Sequence, residues 1–249
     1  MSLQHESAVP LYIQLKELLQ SQIKSGDYAI GARLPSEREL AQRYGVSRMT
    51  ARQSLQALAQ EGLINSRVGK GTFVSAPKID QELRTLTSFS EDMQQRGLAP
   101  SSRILVAEVR PADQEIAERL QVAGGSDVAV LKRVRLADAQ PLAVETTHVS
   151  YRLCPGLLDR YDFSRVSLYD VLRRDYGWEL VWADQIIETR LPDEAECAVL
   201  HVGKRTPVLC FTRVTYNNDD RPLEFVRSMY RGDRYQLRTI LRYSEHQLR

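Results

Sequence analysis

Apolar residues in the first third of the chain follow a helical period that is interrupted by recognisable start and stop signals. Between Pro10 and Gly26 they lie three or four positions apart, which predicts a first helix. They are Leu11, Leu15, Leu18, Leu19 and Ile23. Ser36 and Glu39 form a capping box that begins a second helix, and this helix stops at Gly45.

A third helix follows almost at once and completes a DNA-binding motif. Ser47 is a suitable N-cap, and the helical pattern runs to about Gly62. Two helices joined by so short a turn must cross steeply, which predicts a helix-turn-helix. The predicted buried stripe of the third helix is Ala51, Leu55 and Leu58, and another side near its N-terminus carries Arg48, Met49 and Arg52.

A short hairpin with a basic tip comes next. Residues 63–67 and 72–74 are predicted strands around a turn at 68–71, as in the wing of a winged helix. The first residues of a recognition helix reach base edges in the major groove, and a wing can lie along phosphates or in the minor groove. We therefore predict contacts to double-stranded DNA at Arg38, Ser47, Arg48, Thr50, Arg52, Arg67 and Lys70.

The remainder of the chain alternates helices and strands. Helices are predicted at 88–97, 111–122, 168–176 and 192–202, and strands at 128–136, 142–151, 181–190, 208–216 and 223–230. The series repeats after about 80 residues, so that Arg133 and Pro141 are matched by Arg213 and Pro222. The repeat is either an internal duplication or a chance similarity between two amphipathic hairpins. A duplication predicts an α+β domain with one mostly antiparallel sheet, helices on it, and a ligand between the halves.

Charged residues on the first predicted hairpin indicate what that ligand is. Arg133 and Arg135 are two positions apart on a strand, so their side chains lie on one face. If the numbers of opposed residues add up to about 280, Glu145 faces Arg135 across the hairpin. Paired guanidinium groups bind phosphate or carboxylate, and a nearby carboxylate can bind sugar hydroxyls or an amine. The alternative is a solvated cross-strand ion pair.

Composition describes an ordinary globular chain whose first third is weakly basic. The 249 residues are 43% hydrophobic and 27% charged, with a formal net charge of +2. Residues 1–77 carry nine Lys/Arg and six Asp/Glu, a net of +3, and the rest carry 25 and 26, a net of −1. No signal peptide or membrane span is evident, and Cys154, Cys197 and Cys210 form no CxxC pair. We expect a cytoplasmic protein without a membrane segment, metal site or cofactor.

Three segments of the first third together resemble the signature of the GntR family of bacterial regulators. They are LPSERELA at 34–41, VSRMTAR at 46–52 and GKGTFV at 69–74, in the family's order and spacing. The resemblance implies DNA contacts at Arg38, Arg48 and Arg52 and at the wing tip around Gly69.

The rest of the chain is similar to the effector domain of the HutC branch of that family. This domain, called UTRA, resembles chorismate lyase in fold. The similarity rests on LTSFS at 86–90, RVR at 133–135, PLAVE at 141–145, SLY at 167–169 and PLE at 222–224.

Within that branch the pattern most resembles repressors of N-acetylglucosamine utilisation, which respond to phosphorylated amino sugars. The resemblance implies that the phosphate is held by Phe89, Ser90, Arg133, Arg135, Ser167 and Tyr169, and that the sugar is contacted by Glu145, Glu224 and Tyr230. The expected small anionic effector is glucosamine-6-phosphate or N-acetylglucosamine-6-phosphate. Other members of the branch sense urocanate, trehalose phosphate or fatty acids, and residues 146–148 match no sugar-specific pattern.

The protein expected from these features is a homodimeric, ligand-responsive repressor of a palindromic operator. Its predicted domains are a winged helix-turn-helix at 1–75, a linker at 76–84 and an effector-binding and dimerisation domain at 85–249. An enzyme on a chorismate-lyase-like fold is the main alternative, but the four histidines lack metal-ligand spacing and no hydrolase or dinucleotide motif occurs. A second alternative is an architectural DNA-binding protein whose C-terminal domain only dimerises.

Overall fold

The chain forms two compact units, which a computed structural model describes over residues 3–4, 7–67, 71–75 and 78–241. The first unit comprises Met1–Ile79 and the second Asp80–Arg249. For Arg67 the description covers the backbone alone. The division between the units falls within the predicted linker at 76–84.

Three helices and a two-stranded antiparallel sheet form the first unit, a winged helix-turn-helix as predicted. In chain order they are α1 (Leu11–Ser25), α2 (Glu37–Tyr44), α3 (Arg48–Gln60), β1 (Ile64–Arg67) and β2 (Gly71–Val74). The apolar stripes of the three helices meet in one core. Its buried side chains include Leu15, Leu19, Leu40, Leu58 and Ile64.

Local capping interactions fix the ends of α2 and α3. Ser36 Oγ accepts a hydrogen bond from the Glu39 N–H, and the Glu39 carboxylate accepts one from the Ser36 N–H at 2.7 Å, which confirms the capping box. Gly45 ends α2 at φ +65°, a left-handed conformation that only a residue without Cβ adopts at little cost. Ser47 Oγ then accepts a hydrogen bond from the Thr50 N–H and caps α3.

A six-stranded antiparallel sheet with helices packed on it forms the second unit, which confirms the α+β prediction. Its strands are β4 (Pro100–Pro111), β5 (Asp127–Ala137), β6 (Gln140–Ser150), β7 (Leu180–Arg190), β8 (Val208–Asn217) and β9 (Pro222–Arg231). Its helices are α4 (Phe89–Gln95), α5 (Gln114–Leu120), α6 (Leu157–Arg160), α7 (Leu168–Arg174) and α8 (Glu194–Leu200). The order of the strands is β4-β5-β6-β9-β8-β7. Outside this sheet, β3 (Ile79–Glu82) pairs with β10 (Tyr235–Arg238).

One arrangement of strand, helix and hairpin occurs twice in this unit. The series β4, α5, β5, β6 is followed by β7, α8, β8, β9, and the two hairpins lie side by side at the centre of the sheet. Asp113 and Asp193 cap the two equivalent helices, which end at the buried Leu120 and Leu200. The repeat inferred from the spacing is therefore present in the fold, and it leaves β4 and β7 as the edges.

Alternation of side chains along the strands separates the two faces of the sheet. Val130 and Phe225 pack against α5, whereas Leu131 and Val149 pack against α7. His148 stacks on Phe225, with ring centroids 5.7 Å apart, and so belongs to the α5 face. The α7 face carries the charged residues of the candidate site.

Several elements differ from the sequence predictions, and the short α6 and β10 were not predicted. The edge strand β4 was not predicted, because most of its side chains are exposed and show no apolar alternation. The predicted linker contains β3, whose four residues are too few for a recognisable period. The helix predicted from residue 111 begins at Gln114, because Pro111 still belongs to β4 and Asp113 is the N-cap.

The predicted register of the first hairpin was wrong by two positions. Glu145 lies opposite Arg133 rather than Arg135. Asp138 and Ala139 alone make the turn, with φ values of +47° and +61° that fit a type I′ geometry, and a bulge between Arg135 and Leu136 shifts the pairing so that Glu145 lies opposite Arg133. Because side chains alternate with a period of two, the error leaves Glu145 on the predicted face.

Replacing the caps of the repeated helices tests this description. Asp113→Ala and Asp193→Ala should each lower the free energy of unfolding by about 1 kcal/mol, because each aspartate accepts the backbone N–H of the residue three positions on, at 2.8 Å. Asp113→Asn and Asp193→Asn are the matched controls, since asparagine caps equally well. Urea unfolding followed by tryptophan fluorescence measures the effect, because both tryptophans, Trp178 and Trp182, lie in the second unit. Equal losses in the alanine and asparagine variants would contradict the capping role.

Candidate functional site

Four exposed arginines converge on one cleft of the first unit. Arg38 lies in the first turn of α2, Arg48 begins α3, Arg52 lies one turn later, and Arg33 precedes α2. All four line the same cleft, whose other side is formed by β1 and β2. Within the described part of the chain, none of these guanidinium groups takes part in a salt bridge. The cleft thus presents cationic donors that are available to phosphates or base edges.

The other predicted DNA contacts occupy different positions. Ser47 and Thr50 lie at the start of α3, and their hydroxyls are 2.8 Å apart, so both already serve the helix cap. The backbone of Arg67 ends β1 at the wing. Gly69 and Lys70 lie outside the described residues.

Arg33 was missed by the sequence predictions. It bridges to Phe73 of β2, and its side chain crosses Gly71, where an added Cβ would lie 2.8 Å from Arg33 Nε. Gly71, at φ +108°, leaves the room that this side chain occupies. The guanidinium group is therefore held at the base of the wing, a placement that a lone arginine before the second helix does not reveal in sequence.

On the second unit, the α7 face of the sheet carries three arginines and two glutamates on four adjacent strands. Arg133 and Arg135 belong to β5, Glu145 to β6, Glu224 to β9 and Arg213 to β8. The first four of these side chains belong to residues that are only 2%, 4%, 8% and 2% exposed. Charges this deeply buried require partners, because removing them from water is costly.

The two arginines of β5 are only partly compensated. Arg133 Nη2 donates to Glu145 Oε1 at 2.5 Å, and Arg135 Nη1 is 3.9 Å from the same oxygen. Arg135 also donates to Ser90 Oγ at 3.2 Å, and its guanidinium lies 4.6 Å from the centre of the Phe89 ring. Arg133 Nε and Nη1 and Arg135 Nε are buried and find no hydrogen-bond partner among the described residues.

Two short helices begin beside this cluster and bring in four more of the predicted residues. Phe89 and Ser90 lie in the first turn of α4, whereas Ser167 caps α7 and Tyr169 lies in its first turn. Only the tertiary structure joins these two segments, which are far apart in the chain.

A hydrogen-bonded group surrounds Glu224 at the α7 end of the cluster. Tyr169 and Thr215 donate hydroxyl hydrogen bonds to Glu224 Oε2 at 3.1 and 3.2 Å. The guanidinium of Arg213 lies 5.9 Å from the centre of the Tyr169 ring. Tyr230, the remaining predicted sugar contact, packs edge-on against Phe211 at the other end of the same face.

The pKa values of the two glutamates shift in opposite directions. Burial acts to raise the pKa of Glu145, but the charges of Arg133, Arg135 and Arg213 hold it below the ordinary 4.5. Burial raises the pKa of Glu224 above 4.5, and the attraction of Arg213 does not offset this. Burial and the charge of Arg133 lower the pKa of Arg135 to about 10, so that it stays protonated at pH 7. The cluster therefore carries a net positive charge.

A cavity of about 300 Å³ opens beside the cluster, and a recess of about 20 Å³ adjoins it. The two share Ser88, Phe89, Glu145 and Arg213. Eight of the nine predicted effector residues line one or the other, and Ser90 contacts Arg135 from outside. The sequence predictions missed Arg213, although the repeat had already matched it with Arg133.

Two further observations concern the described residues alone. The described residues include no group of three or more His, Cys, Asp or Glu side chains that could hold a metal ion. Each helix they form is too short or too polar to span a bilayer.

Comparison with known proteins gives matches over most of the chain. Residues 11–74 match the family model of bacterial regulatory proteins of the gntR family, and residues 95–236 match that of the UTRA domain. The HTH-type transcriptional repressor NagR of Bacillus subtilis is 40% identical over 235 residues, which cover 94% of this chain and 96% of that protein. The mannosyl-D-glycerate transport/metabolism system repressor MngR of Escherichia coli is 30% identical over 93% of this chain and 95% of its own. The crystal structure of PhnF from Mycobacterium smegmatis aligns with a TM-score of 0.66 at 33% identity, covering 92% of this chain and all of that one.

The opposite shifts of the two glutamates predict opposite effects of pH on stability. Glu145, with a lowered pKa, stabilises the fold above about pH 4.5, and this contribution is lost as the pH falls through its folded pKa. Glu145→Gln should therefore cost about 3–5 kcal/mol at pH 7 and less in acid. Glu224 has a raised pKa, so it lowers the free energy of unfolding as the pH rises from 4.5 through its folded pKa. Over that interval the free energy of unfolding of Glu224→Gln should increase relative to that of the parent protein. Urea unfolding by tryptophan fluorescence, from neutral pH down to well below pH 4.5, tests both, and parallel pH profiles for the two variants would contradict the assignment.

Proposed function

Since the chain belongs to the GntR family of bacterial regulatory proteins and carries the UTRA domain of its HutC branch, we propose that it represses amino-sugar utilisation genes and leaves DNA when a phosphorylated amino sugar binds. The family and the matched relatives are transcription regulators, so the chain is a DNA-binding regulator and not an enzyme. The effector proposal depends on one observation above all, the buried pair Arg133 and Arg135 whose N–H groups are not all satisfied.

The chemistry of that pair favours a phosphate group. A buried donor without a partner costs about 1–3 kcal/mol, and more when it is charged. The terminal oxygens of a phosphate accept several charge-assisted hydrogen bonds at once, so they can satisfy both guanidinium groups. Ser90 and Ser167 add hydroxyl donors beside them. A fatty acid fits less well, because its chain needs a long apolar channel and the cavity wall carries Glu82, Arg84 and Asp92.

The sugar is assigned to the larger cavity. Glu145, Tyr230 and Ser228 line it, and Glu224 lies in the adjoining recess. Carboxylate and hydroxyl groups at several angles suit the hydroxyls of a pyranose, each of which both donates and accepts. The cavity volume of about 300 Å³ is at the lower end of the range for small-molecule sites, as one monosaccharide requires.

We propose that release from DNA begins at the recess. It is narrow, about 20 Å³, so the elements around it are expected to move apart when a phosphate enters. The effector then binds one arrangement of the unit better than another and shifts the population toward it. In a dimer on a palindromic operator, that arrangement would space the two recognition helices wrongly for successive major grooves. A coupling of about 1–3 kcal/mol is typical of such regulators.

Two classes of arginine in the cleft should affect DNA binding differently. Arg48→Ala and Arg52→Ala should each cost about 1–3 kcal/mol on operator DNA and little on unrelated DNA, because base contacts carry the specificity. Arg33→Ala should weaken binding to both kinds of DNA equally. It should also reduce the slope of log K against log salt concentration by about 1, as the loss of one phosphate contact does. Fluorescence anisotropy on an operator selected from random DNA measures these effects, with the exposed Lys24→Ala as control. Unchanged operator affinity in both α3 variants would remove them from the contacts.

Thermal shifts test the effector directly. Glucosamine-6-phosphate or N-acetylglucosamine-6-phosphate should raise Tm in the wild type, because a ligand stabilises the state it binds. Arg133→Ala should itself lower Tm, because it leaves the buried Glu145 without its ion-pair partner. Measured against each variant's own Tm, Arg133→Ala and Arg135→Ala should abolish the shift and the release of DNA while leaving operator binding intact, and the exposed Arg205→Ala should change neither.

Other outcomes of that experiment separate the remaining hypotheses. A Tm shift with urocanate, trehalose phosphate or a fatty acid, and none with the amino-sugar phosphates, would support a ligand-responsive regulator with a different effector. If no compound changes DNA affinity, the second unit only dimerises and the protein is architectural.

A further inference from the structure

Arg213 lines the site together with the two glutamates. It lies on β8, opposite Val226 of β9 and Gln185 of β7, and its side chain lines both the cavity and the recess. The repeat makes it the counterpart of Arg133, yet its surroundings differ. Arg133 faces a carboxylate across the hairpin, whereas the residue that faces Arg213 on β9 is a valine.

The guanidinium of Arg213 faces the Tyr169 ring but has no hydrogen-bond or salt-bridge partner among the described residues. Among the described residues it is in no salt bridge and donates no hydrogen bond, and its Nε is buried without a partner. Glu145 is already bound to Arg133, and Glu224 already accepts hydrogen bonds from Tyr169 and Thr215. A donor of fixed positive charge therefore faces the cavity where the proposed sugar lies.

We propose that Arg213 selects the substituent on the sugar, donating a hydrogen bond to the acetamide oxygen of N-acetylglucosamine-6-phosphate and disfavouring the ammonium group of glucosamine-6-phosphate. This inference rests on the proposed function. Arginine carries five donors and no acceptor, so it can satisfy a carbonyl oxygen but has nothing to offer an ammonium group. Two like charges brought together in a site shielded from water repel each other strongly.

The net charge of the site supports the same choice. Three guanidinium groups face two carboxylates, and the pKa of Glu224 is raised, which leaves the positive charge in excess. The acetylated ligand brings the phosphate charge alone, whereas the amino ligand cancels part of that charge with its own ammonium group. The site is therefore neutralised better by the acetylated sugar phosphate.

Isothermal titration of the full-length protein with both sugar phosphates tests the proposal. At pH 7 the wild type should bind N-acetylglucosamine-6-phosphate more tightly than glucosamine-6-phosphate by about tenfold or more. Arg213→Met should reduce this ratio to near one, mainly by weakening the acetylated ligand. The exposed Arg205→Met is the matched control and should leave the ratio unchanged, and Arg135→Met should weaken both ligands by similar factors.

A pH series and a second variant keep the test decisive. As the pH rises and the sugar amine loses its proton, the wild-type preference should shrink, whereas the ratio of the methionine variant should stay constant. If Arg213→Met does not fold, Arg213→Gln serves instead: it removes the charge but keeps an N–H donor, so it should bind the amino sugar more tightly than the wild type does and should lower the ratio.

The results that would overturn the inference are distinct from those that would overturn the proposed function. Equal ratios in the wild type and in both Arg213 variants would show that Arg213 does not select the substituent. If the wild type binds neither sugar phosphate, the proposed effector is wrong and this inference falls with it. If the wild type prefers the amino sugar, the carboxylates rather than Arg213 determine the choice.

Discussion

The buried ion pair between Arg133 and Glu145 constrains the whole second unit. Removing these two charges from water costs several kcal/mol for each ion, and one hydrogen bond between them repays only part of it. Arg135 adds a second positive charge at 3.9 Å, which Ser90 and the Phe89 ring moderate from α4. The elements that carry these groups must therefore stay together for the charges to be tolerated. The guanidinium nitrogens that remain unpaired lie where we propose that the anionic group of the effector binds.

The site is built from two repeats of one strand–helix–hairpin unit. Residues that differ between the repeats make the two halves of the site chemically different. Equivalent backbones place Arg133 and Arg213 on equivalent strands, but Arg135 has Thr215 as its counterpart. One half consequently presents two arginines beside Glu145, and the other presents Arg213 beside Glu224 and its hydroxyl donor Thr215. A molecule bound over the centre of the sheet touches both halves, so its binding is sensitive to their relative arrangement, as a switch requires.

The fold of the DNA-binding unit is determined mostly by local interactions. The capping box at Ser36, the left-handed Gly45 and the cap at Ser47 all act within four residues in sequence, and each was recognisable before the structure. The apolar stripe of α3 likewise buries the residues that the helical period indicated. What was missed is Arg33, whose position depends on the room that Gly71 leaves on another strand.

The sequence by itself determined the helices of the first unit and the repeat of the second, because periodicity, caps and spacing lie in neighbouring positions. Its resemblance to a known family indicated the two domain types and the candidate effector residues. Only the tertiary structure decided how distant segments meet. The register that pairs Glu145 with Arg133 depends on a two-residue turn with two positive φ angles and on a bulge between Arg135 and Leu136. The edge strand β4 has no buried face and therefore no apolar alternation by which it could be predicted. The cavity and the place of Arg213 in it also depend on strands and helices far apart in the chain. Side-chain burial and charge compensation arise from such contacts, and no local pattern encodes them.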